Sequence, residues 1–229
     1  MTERRDGQIM TCDATIITGT GRTGTTFLVA LLTLCGAPTG FNEKEVNQTV
    51  YGTAAHAGLE VAPTIRNGVI VCAQNPNREV FKQPQLADES RVQRWVNATN
   101  LHTVIVPMRP MEDAAKSREF QTKHHDPHRG GFYHANSVPS QISYLEHSVN
   151  YLMWQLSRHL QIETITLSYP EHVLDWKYSY AKLLPVLKRY FISMERFKTM
   201  HTRLSRKSYV HSFSAAPDTL AWPSRGIEK

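Results

Sequence analysis

Residues 19–26 (GTGRTGTT) bring together glycines, threonines and one arginine directly after a short apolar run. A glycine-rich turn between a strand and a helix points free backbone N–H groups and the positive end of the helix toward an anion. Glycines let a phosphate approach the backbone, and threonine hydroxyls add hydrogen-bond donors. The segment therefore predicts a binding site for a phosphate or a similar anion.

The glycine spacing fits the dinucleotide-binding pattern G-x-G-x-x-G through Gly19, Gly21 and Gly24. That pattern is normally followed, about 20 residues later, by an acidic residue at the end of a second strand. Glu43 and Glu45 lie near this distance, but the residues before them (GAPTGFN) are poor strand formers. A Rossmann-type NAD(P) oxidoreductase is therefore the weaker interpretation.

The Walker pattern G-x-x-x-x-G-K-[ST] fits Gly19, Gly24 and Thr26, but Thr25 occupies the lysine position. A nucleoside triphosphatase without that lysine lacks its main counter-charge for the β- and γ-phosphates. Arg22 supplies a cation earlier in the turn. A P-loop phosphotransferase remains an alternative, as does a non-catalytic module that binds nucleotides or nucleic acid.

A second anion-binding pattern follows the apolar run at residues 102–108. Arg109 stands where that predicted strand ends, and Ser117 lies eight residues later on the predicted next helix. A terminal phosphate is dianionic near neutral pH, so an arginine fork and a hydroxyl near a helix start suit it well. The pair predicts a second phosphate site on a neighbouring strand.

These two motifs resemble those of sulfotransferases that use 3′-phosphoadenosine 5′-phosphosulfate (PAPS). R-T-G-T-T at residues 22–26 is similar to the family's 5′-phosphosulfate loop, and the Arg109 to Ser117 spacing is similar to its 3′-phosphate motif. Arg109 and Pro110 are adjacent here, whereas the family often has a residue between them. Residues 81–84 (FKQP) resemble the strand-end segment beside the transferred group, and the likeness runs over about residues 14–191.

The resemblance implies transfer of a sulfuryl group from PAPS to a hydroxyl or amine of a small-molecule or carbohydrate acceptor, with PAP (3′,5′-ADP) as product. It implies no metal, because a sulfuryl group carries less charge than a phosphoryl group and side-chain cations can serve. Arg22 and Lys82 would be catalytic, stabilising the departing phosphate. The implied cofactor-binding residues are Gly21, Arg22, Thr23, Gly24, Thr25, Thr26, Arg109 and Ser117.

The general base is harder to assign, because Pro84 stands where cytosolic members of the family often carry a histidine. Heparan sulfotransferases use a glutamate shortly after the first helix, and Lys44-Glu45-Val46 resembles that stretch. A carboxylate in a partly dry cleft suits general-base work. We therefore expect Glu45 to be the base, with Glu43 and His56 as the reserve candidates.

Apolar runs that read as strands alternate with helical patterns along the whole chain, which predicts an α/β fold around a mainly parallel sheet. Together with the resemblance, this predicts a P-loop-like three-layer α/β/α domain over residues 1–229, with its core at about 13–211. The expected strands are 14–18, 69–72, 79–81, 102–108 and 162–169. The expected helices are 25–35, 111–122, 142–160 and 178–191, with Pro185 kinking or shortening the last one.

Composition excludes several classes of protein. With 41% hydrophobic and 20% charged residues the chain is globular, and no apolar run reaches the roughly 18 residues that a membrane span needs. Three cysteines without CxxC spacing argue against a disulfide framework or a zinc site. Together with a start (MTERRDGQ) that lacks the apolar core of a signal peptide, they predict a cytoplasmic location.

The net charge of +6 equals that of residues 188–207, which hold seven basic residues and one acidic residue. This run predicts a solvated basic helix, and Arg206-Lys207-Ser208 faintly resembles a late R-K-G segment of some sulfotransferases. No nucleic-acid partner is expected. The histidines at positions 124, 125, 128 and 134 lie in a predicted loop that lacks metal-ligand spacing and is a candidate lid over the acceptor.

Overall fold

The computed structural model describes residues 12–52, 58–60, 64–66, 69–71, 77–83, 91–124 and 131–205. The strands of this part are β1 (Cys12–Ile17), β2 (Thr64–Arg66), β3 (Val69–Val71), β4 (Val80–Lys82), β5 (Thr99–Met108) and β6 (Glu163–Ser168). Its helices are α1 (Thr25–Cys35), α2 (Glu43–Gly52), α3 (Arg91–Ala98), α4 (Met111–His124), α5 (Val138–Ser157), α6 (Glu171–Leu174), α7 (Trp176–Arg189) and α8 (Met194–Leu204).

Four strands form one parallel sheet in the order β4-β1-β5-β6. Thr15 of β1 pairs with Val80 of β4 and with Thr103 of β5, and Thr103 pairs in turn with Glu163 of β6. A parallel sheet needs crossover connections, and the intervening helices supply them. The predicted α/β fold with a mainly parallel sheet is confirmed.

Helices cover both faces of this sheet, because the central strands bury alternate side chains in opposite directions. Ile17 and Ile105 belong to one core cluster with residues of α1, α7 and α8. Ile16 and Val104 belong to a second cluster with residues of α3 and α5. The two clusters lie on either side of β1 and β5, which confirms the three-layer α/β/α arrangement.

Helix α1 has the predicted bounds and lies almost wholly inside the protein. It begins after Gly24 and is followed by Gly36, whose φ of 100° turns the chain so that the Ala37 N–H reaches the carbonyl of Leu32. Within the described part of the chain, no helix is both long and apolar enough to cross a membrane. The apolar surface of α1 is instead covered by its neighbours in the fold.

The basic run at 188–207 contributes most of its described part to α8, and its charged side chains are exposed, as predicted. Several of them also make specific contacts. Arg189 pairs with Asp13 of β1 at 2.6 Å, and Arg203 pairs with Glu43 of α2 at 2.7 Å. Arg196 donates to the carbonyls of Leu34 and Cys35 at the end of α1. Residues 206 and 207 lie outside the described part of the chain.

Three expectations differ from the structure. The segment at 69–71 pairs antiparallel with β2 in a separate two-stranded sheet, so it is not a strand of the main sheet. Helix α7 runs through Pro185, although it ends at Arg189, two residues before the expected end. Helix α5 starts at Val138 because Ser137 and Ser140 form a capping box, which brings the helix start four residues earlier than expected.

Every residue predicted from a strand end lies at one edge of the main sheet. The glycine-rich turn follows β1, Lys82 is the last residue of β4, and Arg109 directly follows β5. Tyr169 directly follows β6. Because the four strands are parallel, their carboxyl ends meet at this edge, which is where open α/β sheets bind ligands.

Candidate anion-binding site

The turn between β1 and α1, residues 18–24, is wound tightly by residues with positive φ. Gly21 has a φ of 70°, Arg22 of 59° and Gly24 of 81°. Such angles are strained for a residue with a side chain, so contacts must hold Arg22 in place. Thr18 and Thr23 are fully buried in this turn, and their hydroxyls have no hydrogen-bond partner within the described part of the chain.

Arg22 joins the two anion motifs that the sequence predicts 87 residues apart. Its Nε donates to the Ser117 hydroxyl over 3.3 Å, and its own carbonyl accepts from Arg109 Nη1 over 3.1 Å. The Arg109 guanidinium also lies over the Tyr169 ring at 4.8 Å. Arg109 and Ser117 are both buried. The two predicted phosphate motifs therefore form a single site.

Lys82 approaches the same turn from β4. Its Nζ donates to the Thr26 hydroxyl and to the Gly58 carbonyl, each over 2.8 Å, and forms an ion pair with Glu60 at 2.7 Å. Its side chain is only 2% exposed. A lysine of the neighbouring strand thus lies beside Thr26, next to the position at which the Walker pattern lacks one.

Arg118 completes the site, and sequence reasoning missed it. One terminal nitrogen donates to the Thr20 carbonyl in the turn, and the other donates to the Gly131 carbonyl over 2.7 Å. Nothing in its local sequence marks it, since it follows Ser117 on an ordinary helical stretch. Arg118 reaches the turn because it follows Ser117 on α4, which lies beside the turn.

Four cationic side chains therefore lie close to one short turn, and their positive charges repel one another. Burial lowers the pKa of Arg22, and the nearby Arg109 lowers it further. Burial and the charge of Arg22 lower the pKa of Arg118 to about 10. Burial also lowers the pKa of Lys82, Glu60 raises it, and Arg22 lowers it. A bound anion would relieve this repulsion, so the site favours a ligand with several negative charges.

The expected base, Glu45, has a structural contact in the described part of the chain. Its carboxylate accepts from the Asn42 N–H over 2.8 Å, and its own N–H donates to the Asn42 side chain over 3.0 Å. This is a capping box at the start of α2, and the Glu45 side chain is exposed. Glu43 pairs with Arg203, and His56 lies outside the described residues. The assignment of Glu45 as base stays a prediction.

The histidine-rich loop is described only in part. His124 is the last residue of α4, and His134 lies in irregular chain at residues 131–137, while positions 125 and 128 fall outside the described residues. The His134 ring packs against Tyr133 and Tyr144. In the described part of the chain no group of three or more histidines, cysteines or acids could hold a metal ion.

His172, on α6 after β6, is a further residue that the sequence did not indicate. It is fully buried, and its Nδ1 donates to the Ser168 carbonyl over 2.9 Å. Its Nε2 faces the turn so closely that a Cβ added to Gly24 would lie 2.5 Å away. The imidazole therefore packs directly against the backbone at the start of α1.

We expect this histidine to make stability depend on pH. Burial lowers the pKa of His172 to about 4, from 6.5 in an unfolded chain. Below pH 6.5 the unfolded state binds a proton that the folded state refuses, so the free energy of unfolding should fall as pH drops from about 6.5 toward 4. Urea titrations across this range measure the effect.

His102 has a similarly low pKa of about 4, caused mainly by burial, so it contributes to the same pH dependence. A His102→Asn variant removes that contribution and leaves those of His172 and of the buried His201, whose pKa is also lowered by burial. If this variant shows a flat stability between pH 6.5 and 4, the imidazole under the turn does not titrate as we expect.

Fold and site together define an α/β protein with a candidate anion-binding turn after a central parallel strand. No protein-family model matches the chain, and no curated protein matches it. Among solved structures the chain is similar to the sulfotransferase domain from the curacin biosynthetic pathway. The TM-score is 0.46 and the sequence identity 13%, over 89% of this chain and 81% of that chain. The function is therefore inferred from the side chains of the site.

Proposed function

We propose that the protein is a sulfotransferase that uses PAPS as its sulfuryl donor. The observation that carries the proposal is the convergence of Arg22, Lys82, Arg109 and Arg118 on the turn after β1. A donor with a sulfated 5′-phosphate and a separate 3′-phosphate brings negative charge to two points. Besides Arg22, the site offers Lys82 from β4 and two arginines, Arg109 and Arg118, that donate to carbonyls of the turn.

The residues present fit such a donor. The turn offers backbone N–H groups and, within the described part of the chain, two buried hydroxyls without a hydrogen-bond partner. Arg109 and Ser117 would hold the 3′-phosphate. An open depression beside Arg109 is lined also by Lys182 and Tyr178, but it includes neither Ser117 nor any residue of the turn.

In this proposal the bound donor supplies the activated sulfuryl group, and the protein supplies position and charge. Arg22 and Lys82 stabilise the negative charge that develops on the 5′-phosphate as it departs. The Thr26 hydroxyl, which accepts from Lys82 Nζ, keeps that ammonium directed at the turn. No metal ligand is required, because the cations of the site already balance the charge. The acceptor is a hydroxyl or amine compound.

Thermal stability in the presence of nucleotides tests the proposal. With 3′,5′-ADP at 100 times its Kd, we expect stabilisation of about 2.7 kcal/mol, which is a rise in Tm of roughly 5–10 °C for a chain of this size. ATP with magnesium and NADP should give clearly smaller shifts at the same concentration, since neither presents the same pair of anions.

An Arg22→Ala variant is the control for this measurement, because it removes the cation at the centre of the site and should abolish the shift. A larger shift with magnesium ATP than with 3′,5′-ADP would point to a phosphotransferase instead. A larger shift with NADP would point to a dinucleotide oxidoreductase.

A further inference from the structure

Glu60 is the acidic residue that contacts the cation cluster through Lys82. Its carboxylate lies 2.7 Å from Lys82 Nζ, and the same nitrogen lies 2.8 Å from the Thr26 hydroxyl. The Lys82 ammonium thus bridges the Glu60 carboxylate and the first turn of α1. Sequence reasoning did not single it out, because it lies 22 residues before Lys82 in a stretch without a motif.

The fold holds the two residues that precede Glu60. Leu59 is 6% exposed and belongs to the core cluster on the α1 face of the sheet. The Gly58 carbonyl accepts from Lys82. The Glu60 side chain itself is 50% exposed. It therefore touches the buried ammonium on one side and remains accessible to a substrate from solvent on the other.

The other carboxylates considered for the site have different neighbours. Glu45 caps α2 through Asn42, and Glu43 pairs with Arg203 at the far side of that helix. Asp113 is close enough to Arg109 to raise the pKa of that guanidinium. Of these four carboxylates, only Glu60 forms an ion pair in the described part of the chain with Lys82, the lysine that we assign to the departing phosphate.

We propose that Glu60 is the general base that accepts the proton of the acceptor, an inference that rests on the proposed function. The acceptor oxygen forms a new bond to sulfur as its proton moves to a Glu60 carboxylate oxygen. The bond between sulfur and the 5′-phosphate oxygen breaks, and its electron pair leaves with the phosphate. Lys82, between the carboxylate and the turn, neutralises charge on both sides of the transfer.

A Glu60→Gln variant tests the inference, because the glutamine oxygen still accepts a hydrogen bond from Lys82 but cannot take a proton. Hydrolysis of radiolabelled PAPS to PAP and sulfate is the assay, with water as the acceptor. We expect a loss of roughly 100-fold to 1,000-fold in the rate, within the range of general-base catalysis. The rise in Tm with 3′,5′-ADP should stay within a degree or two of wild type.

Glu119→Gln is the matched control, because Glu119 also pairs with a lysine, Lys123 at 2.9 Å, but on the outer part of α4. It should leave the rate unchanged. For the Glu60→Ala variant, added formate should restore part of the rate by supplying a carboxylate. A positioning role through Lys82 predicts no such rescue.

Three outcomes would overturn the inference. The first is a Glu60→Gln enzyme with the wild-type rate of PAPS hydrolysis. The second is a Glu45→Gln enzyme that loses this rate while the Glu60→Gln enzyme keeps it. The third is a Glu60→Gln enzyme that loses the 3′,5′-ADP shift together with the rate, because that result assigns Glu60 to donor binding. A wild-type protein that shows neither the shift nor hydrolysis contradicts the proposed function itself, and with it the base.

Discussion

Replacing Arg109 with alanine is expected to weaken the binding of 3′,5′-ADP by roughly 100-fold, or about 3 kcal/mol. In the proposed complex the guanidinium forms charge-assisted hydrogen bonds to a dianionic phosphate, and it does so in a place where Arg109 is only 6% exposed. Water cannot replace a buried guanidinium at that strength. Isothermal titration calorimetry measures the loss directly.

Adenosine 5′-monophosphate separates two reasons for such a loss. It lacks the 3′-phosphate, so its affinity should change by less than about threefold in Arg109→Ala if the arginine binds that group. In this structure Arg109 also donates to the Arg22 carbonyl, so its removal loosens the strained turn. Equal losses for both nucleotides would mean that Arg109 acts through the turn. Arg189→Ala, an exposed arginine paired with Asp13, controls for net charge.

The features that could be predicted from sequence are those encoded in contiguous residues. The turn at 19–26, helix α1 with its terminal Gly36, and strand β5 leading to Arg109 each carry a local pattern of glycine spacing or apolar periodicity. A parallel sheet then brings the strand ends together without further information, because its carboxyl ends share one edge. The sequence therefore predicts that Arg22, Lys82 and Arg109 lie at this edge, but it does not predict their mutual contacts.

The residues that were missed depend on packing between distant elements. Arg118 reaches Thr20 only because α4 lies beside the turn, and His172 reaches Gly24 only because α6, after the edge strand β6, packs against the turn. Glu60 depends on the burial of Leu59 in the core. No apolar periodicity and no motif in the sequence marks the residues that make these contacts.

The sequence around Glu45 also carries a local signal for a structural role. Asn42 followed by Glu45 has the N-x-x-E spacing of a capping box before the partly apolar helix α2, and the structure forms that box. The same three-residue spacing explains why an acidic residue at this position is useful without chemistry. Glu43 likewise has a structural use, since it pairs with Arg203 of α8 across the surface.

Replacing Gly24 with alanine is expected to lower the free energy of unfolding by about 3 kcal/mol and to abolish the 3′,5′-ADP shift. The φ of 81° at this position is strained for any residue with a Cβ, at a cost of about 1–2 kcal/mol. The added methyl would also lie 2.5 Å from His172 Nε2 and 3.3 Å from the Tyr169 ring. The His172 ring is fully buried, so it cannot move aside, and overpacking adds about 1–3 kcal/mol.

Gly36→Ala is the control that isolates the contact with His172. Gly36, at the other end of α1, has a φ of 100°, and a Cβ there would meet nothing within 4 Å. Its substitution should therefore carry the backbone strain alone, about 1–2 kcal/mol, and leave nucleotide binding intact. A double-mutant cycle with His172→Ala measures the coupling between the ring and residue 24. If Gly24→Ala and Gly36→Ala cost the same, the imidazole does not constrain the turn, and the anion site is held by its arginines alone.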